Sequence, residues 1–231
     1  MANFNTHLIV SAAVSGFLTS ALLVVDLTTL KTTILFGLLG TTAGFLPDVD
    51  SHNSKATRWI FSLLGISIAS LATYSQEYFT TFPLLVLLWL SAFLFVRYGV
   101  FYVFHILTVH RGNFHSITAA CCFGLITTAI LYQMFDVRPF VAWGGGLFVT
   151  IGYLTHLLLD EMYSVNLVNR RIKKSFGSAL KLISLRYKLS TVLFLTITAF
   201  TFFLTPPFTP ITNILSHQHT YQIIQTKLGL K

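Results

Sequence analysis

The chain has 231 residues, of which 54% are hydrophobic and 10% charged, with a mean hydropathy of +0.74. That balance excludes an ordinary soluble domain and points to a polytopic membrane protein. The net charge of +8 would suit nucleic acid, but the basic residues lie between apolar runs rather than on one soluble face. The positive-inside rule accounts for them more simply, and no nucleic-acid partner is expected.

Residues 8–25 are the first expected span. The stretch before it contains His7 but no Lys or Arg, and no clear small-residue cleavage pattern follows, so it reads as an uncleaved helix. Residues 32–46 form a short, glycine-containing second span that ends at Pro47. At ~1.5 Å per residue it barely crosses ~30 Å of hydrocarbon, which places Asp48 and Asp50 below the interface in a protein-lined cavity. Residues 59–74 are the third span, and 82–107 the fourth, long enough to tilt and carrying Arg97 and His105. The fifth covers 116–134, with Cys121 and Cys122 adjacent in an apolar run where neither a disulfide nor a zinc site fits the spacing. The sixth covers 140–159, where Gly144, Gly145 and Gly146 permit close helix approach. The seventh covers 189–204 and is stopped by Thr205-Pro206-Pro207. The expected fold is an all-α transmembrane helix bundle of six to seven spans. It forms one integral membrane domain over 1–231, with a basic cytoplasmic segment at 166–188 and a last span and tail at 189–231.

Ten of the fifteen basic residues, among them Lys55, Arg58, Arg111, Arg170, Arg171, Lys173, Lys174 and Lys181, follow spans two, four and six. Those loops are therefore expected to be cytoplasmic, with the N-terminus inside and the C-terminal tail outside. The polar residues that spans normally exclude gather at the same ends. His7 begins span one; Asp48, Asp50 and His52 follow span two; His110, Arg111 and His115 follow span four; His156 and Asp160 end span six. Four separate segments thus deliver His and Asp to one membrane face.

The spacings suit metal ligation. His156 and Asp160, at i and i+4, share one helical face. Asp48 and Asp50 sit at i and i+2 on an expected turn, like paired acids that hold divalent cations. His110 and His115 converge only if a loop carries the first and a helix starts near the second, with Gly112 permitting the bend and Ser116 near the cap. Imidazole with carboxylate favours zinc, then iron or manganese, over calcium. Plainer readings stand beside these. His156 and Asp160 also suit a hydrogen-bonded packing pair, Asp48 and Asp50 an ordinary helix-ending turn, His52 a solvated loop and His105 a packing histidine. Arg97 either snorkels towards the cytoplasm or faces an anion. His217 and His219 lie in the tail, away from the cluster.

His7, Leu46-Pro47-Asp48-Val49-Asp50, His110-Arg111-Gly112-Asn113-Phe114-His115-Ser116 and Gly152-Tyr153-Leu154-Thr155-His156-Leu157-Leu158-Leu159-Asp160 together resemble the YdjM-like family of inner-membrane, metal-dependent hydrolases. Order and spacing match over about residues 1–165. Relatives often place a histidine directly after the second aspartate, where this chain has Ser51, and a threonine-proline turn where it has Glu161 to Ser164. The resemblance implies a bacterial inner-membrane location, a bound divalent metal, hydrolytic chemistry and an association with the LexA-controlled damage response.

Taken together, His7, Asp48, Asp50, His110, His115, His156 and Asp160 form a pool of metal ligands. Seven exceed the four or so that one zinc needs, so one or two ions are expected, with some residues acting as orienters. Metal-activated water would be the nucleophile, an aspartate such as Asp50 would take its proton, and Arg111 would stabilise charge on a phosphoryl or acyl oxygen. A site at the cytoplasmic interface suits a lipid or lipid-linked phosphoester, and the basic segment suits anionic lipid headgroups. A metal-ion transporter and a metal-stabilised membrane scaffold remain as alternatives. The almost wholly apolar outer halves of the spans count against transport.

Overall fold

Capping residues set where the helices begin. In a computed structural model, which describes residues 3–50, 55–74, 81–102, 113–166, 171–172, 180–182, 188–209, 212 and 225–227, Asn3 accepts a hydrogen bond from the Thr6 amide at 2.8 Å and opens α1 (Phe4–Val24). The helix therefore starts before residue 8, and His7 lies within it. Thr29 and Thr32 form a reciprocal capping box at the start of α2 (Leu30–Ala43). That helix ends before residue 46, and the chain continues as a 3-10 turn, Leu46–Asp50, which carries both aspartates. α3 (Lys55–Tyr74) and α4 (Phe82–Leu94) follow, and α4 runs on into a π-helical turn, Phe95–Val100. Ser116 caps α5 (Ile117–Gln133), accepting from the Ala119 amide at 3.2 Å. α6 (Pro139–Ser164) has proline at its first position and continues past Asp160, since Glu161 to Ser164 contain no helix breaker. A two-residue antiparallel pair, Val165–Asn166 with Arg171–Ile172, follows it, and α7 (Lys188–Phe203) stops before Pro206 and Pro207.

The chain divides into two compact units, Met1–Pro47 with His115–Lys231, and Asp48–Phe114. In the first, α6 packs against α1, α2 and α5, and α5 also packs against α7. Along α1 polarity is inverted relative to a helix of a soluble protein. The buried positions of α1 are His7, Ser11, Ser15 and Thr19, one turn apart, while Ile9 and Phe17 are 66% and 74% exposed. Apolar side chains outside and polar ones inside are what a hydrocarbon solvent selects. α1, α4 with its π-turn, and α6 are long and apolar enough to cross a bilayer. The protein is an all-α helical membrane bundle.

Small residues let these helices touch backbone to backbone. A Cβ added at Gly40 would overlap Ser15, and one at Gly44 would overlap Ser11, so α1 lies directly on α2. A Cβ at Gly152 would overlap the Gly40 carbonyl oxygen, and one at Gly146 would overlap Thr128. Helices without a hydrophobic drive between them associate through such contacts. The expected close approach at Gly144 to Gly146 is present, with Gly144 against the Phe36 ring.

Helix direction alternates within the first unit. The starts of α1 and α5 and the ends of α2 and α6 share one end. At the other, Gln133 Nε2 donates to Leu204 O at 2.9 Å, Trp143 Nε1 to Pro206 O at 3.1 Å, and Lys227 pairs with Asp26 at 3.0 Å. In the second unit, Thr57 Oγ1 donates to Val49 O at 2.7 Å and anchors α3 to the 3-10 turn. Phe61 meets Phe101 edge-on at 5.3 Å, and the Arg97 guanidinium lies over the rings of Tyr98 and Phe101 at 5.1 and 5.5 Å.

Candidate metal centre

Four of the expected residues meet at one end of the first unit. His7 comes from α1, His115 from the residue before the α5 cap, and His156 and Asp160 from successive turns of α6. Their side chains are almost fully enclosed, at 1%, 1%, 0% and 2% exposure. The rings of His7 and His156 stack at 3.7 Å with an interplanar angle of 16°, and His115 meets His156 edge-on at 5.8 Å.

The carboxylate of Asp160 is the common focus. His7 Nε2 lies 3.4 Å from Oδ1, and His115 Nε2 and His156 Nε2 lie 3.6 and 3.8 Å from Oδ2. These separations exceed a well-formed N–H···O bond of ~2.9 Å. Among the described residues, neither oxygen of Asp160 has a hydrogen-bond partner of good geometry, nor does His7 Nδ1. Buried polar atoms are rarely left so. Ligands held ~2.1 Å from a tetrahedral ion lie ~3.4 Å from one another, close to the spacing of this set. The residues therefore fit a divalent metal, and His7, His156 and Asp160 each bring a ligand atom within 4.8 Å of the other two, a group able to hold one.

The tautomer of His156 strengthens the fit. Its Nδ1 is 2.7 Å from the carbonyl oxygen of Gly44, which can only accept, so Nδ1 carries the proton and donates it. Nε2 then presents its lone pair to the cluster. A backbone carbonyl behind an imidazole is the usual support of a metal-bound histidine.

The other expected site residues belong to the second unit or fall outside the described residues. Asp48 is half-buried in the 3-10 turn at the start of the second unit, and Asp50 ends that turn. His110, Arg111, Gly112, His52, His105, His217 and His219 fall outside the described residues. Gly44 is the participant that sequence reading missed, although Gly40 and Gly44 carry the G-x-x-x-G spacing of a close helix contact.

A strand-like segment crosses the start of α5 beside this cluster. Ile117 N donates to Lys181 O at 3.0 Å, and Thr118 Oγ1 and N both donate to Leu182 O, at 2.6 and 3.3 Å. These bonds satisfy amides that an N-terminal turn leaves open. Ser116→Ala should remove one cap and destabilise α5 by ~1 kcal/mol, read as faster amide exchange at Ala119 and Ala120.

Buried imidazoles and a carboxylate within an apolar helical bundle define a membrane protein with a candidate metal centre. The chain belongs to the YdjM inner membrane protein family, whose model matches residues 1–169. No curated protein and no solved structure matches the chain.

Proposed function

We propose that the protein is a metal-dependent hydrolase of the bacterial inner membrane, with its His and Asp cluster at the cytoplasmic face. The observation that carries the reading is the support of His156 by Gly44 O, which turns Nε2 towards Asp160 and the other two histidines. In this reading His7, His115, His156 and Asp160 hold the ion, zinc before manganese or iron, because imidazole with carboxylate is its preferred donor set. A bound ion of this kind supplies activated water at neutral pH. Asp48, Asp50, His110 and Arg111 enter from their sequence motifs: Asp48 and His110 as further ligands, Asp50 as proton acceptor, and Arg111 as the cation that stabilises developing negative charge.

The substrate class in this reading is a lipid or lipid-linked phosphoester, which suits a site at a membrane surface. To test it, zinc-loaded protein in detergent is offered phospholipid and isoprenyl phosphoesters, and released phosphate is measured. Wild-type turnover that Arg111→Ala reduces by ~100-fold supports hydrolysis, whereas wild-type protein with full metal and no turnover favours a metal-stabilised scaffold. The basic segment supports the same orientation. Neutralising Arg170, Arg171, Lys173 and Lys174 should cost ~1 kcal/mol per residue of attraction to anionic vesicles, seen as lost salt-sensitive binding of the solubilised protein. Unchanged binding would remove anionic headgroups as partners.

A further inference from the structure

Away from the histidine end, the first unit has a side-opening cavity of about 620 Å³. That is the size of a small-molecule site rather than of a packing defect. Its wall is apolar, with Phe36, Leu125, Phe140 and Leu147 prominent. The polar groups on the wall are committed elsewhere. Thr128 Oγ1 donates to Gly124 O at 3.0 Å, Thr150 Oγ1 to Gly146 O at 3.0 Å, and Trp143 Nε1 to Pro206 O at 3.1 Å. Water needs two to four polar partners in such a space and finds almost none. Left empty, the wall would forfeit its dispersion contacts on that side.

The opening identifies the occupant. Leu147 and Phe202, 58% and 52% exposed, and the exposed Cys121 belong both to the cavity wall and to the apolar outer surface. The cavity is thus continuous with the face that the helices turn to hydrocarbon. It runs beside α6 from Phe140 to Thr150, ten residues or ~15 Å, which is half of a ~30 Å hydrocarbon core. That is the depth of one leaflet.

We propose that this cavity is a binding site for one acyl chain of a membrane phospholipid, taken from the leaflet farther from the histidine cluster. The wall demands a ligand segment without hydrogen-bonding groups, and the span matches a single chain. Thr150 lies six residues from His156, ~9 Å along the helix, so this site is separate from the candidate metal centre.

Trp143 reports occupancy once Trp59 and Trp89, the other two tryptophans, are changed to Phe. In vesicles of phosphatidylcholine brominated at mid-chain, Trp143 fluorescence should be quenched. Filling the cavity with Leu125→Phe or, independently, Cys121→Phe should reduce that quenching at least about twofold, while His156→Ala should leave it unchanged. Native mass spectrometry of the wild-type chain from detergent should show one retained phospholipid, which the filled variants lose. Equal quenching in wild type and both folded variants would mean ordinary boundary lipid and overturn the proposal. So would an unquenched Trp143 in a chain that cross-links as a dimer, because a second copy would then fill the opening.

Discussion

Loaded with zinc and stripped of loose ions, the wild-type chain should retain about one ion or more, and His156→Ala and Asp160→Ala should each weaken binding by ~100-fold or more. The reason is the shared focus of the cluster. Three imidazole Nε2 atoms converge on one carboxylate, so removing Asp160 deletes the centre of the group, and removing His156 deletes the ring fixed by Gly44 O. Thr19→Ala is the control. Thr19 shares the buried face of α1 but lies twelve residues from His7, ~18 Å along the axis, and its hydroxyl bonds to Ser15 O at 2.8 Å. It should leave metal content unchanged. Metal analysis of the purified proteins decides the matter, and equal content in all four would remove the cluster from any role in metal binding.

Gly152→Ala should be among the most damaging single-methyl changes in the chain, at ~3 kcal/mol of stability. The added Cβ would overlap the carbonyl oxygen of Gly40, which is backbone and cannot swing aside. α2 must then move away from α6. Gly152 is one turn from His156 and Gly40 is one turn from Gly44, so the same displacement separates His156 from its carbonyl partner. Lower thermal stability in detergent and weaker zinc binding should therefore appear together. Gly16→Ala is the matched comparison, because nothing lies within 4 Å of a Cβ at that position. It should be neutral or stabilising by up to ~1 kcal/mol.

The two substitutions probe what the sequence carries at different levels. The hydropathy runs read directly as helices, because a hydrocarbon solvent demands long apolar segments. The i, i+4 pair of His156 and Asp160 reads as one face for the same geometric reason. His7 and His115 join them because α1, α5 and α6 bring their ends together, an arrangement that alternating spans make legible. Helix limits are less so. Asn3 and Thr29 start α1 and α2 earlier than the apolar runs suggest, and α6 continues past residue 159, where the apolar run ends, to Ser164. The role of Gly44 is hidden because a backbone carbonyl has no side-chain signature. Its signal is the G-x-x-x-G spacing with Gly40, which speaks of packing and only through packing of the site. The cavity beside Trp143 has no sequence signal at all, since its wall is built from the same apolar residues as any lipid-facing helix.

The most direct test of the metal centre is a crystal structure of the zinc-loaded protein with data collected on both sides of the zinc absorption edge. A strong anomalous peak should lie ~2.0–2.2 Å from Nε2 of His7, His115 and His156 and from a carboxylate oxygen of Asp160. An ion bound elsewhere, with these four side chains left around an empty space, would contradict the account.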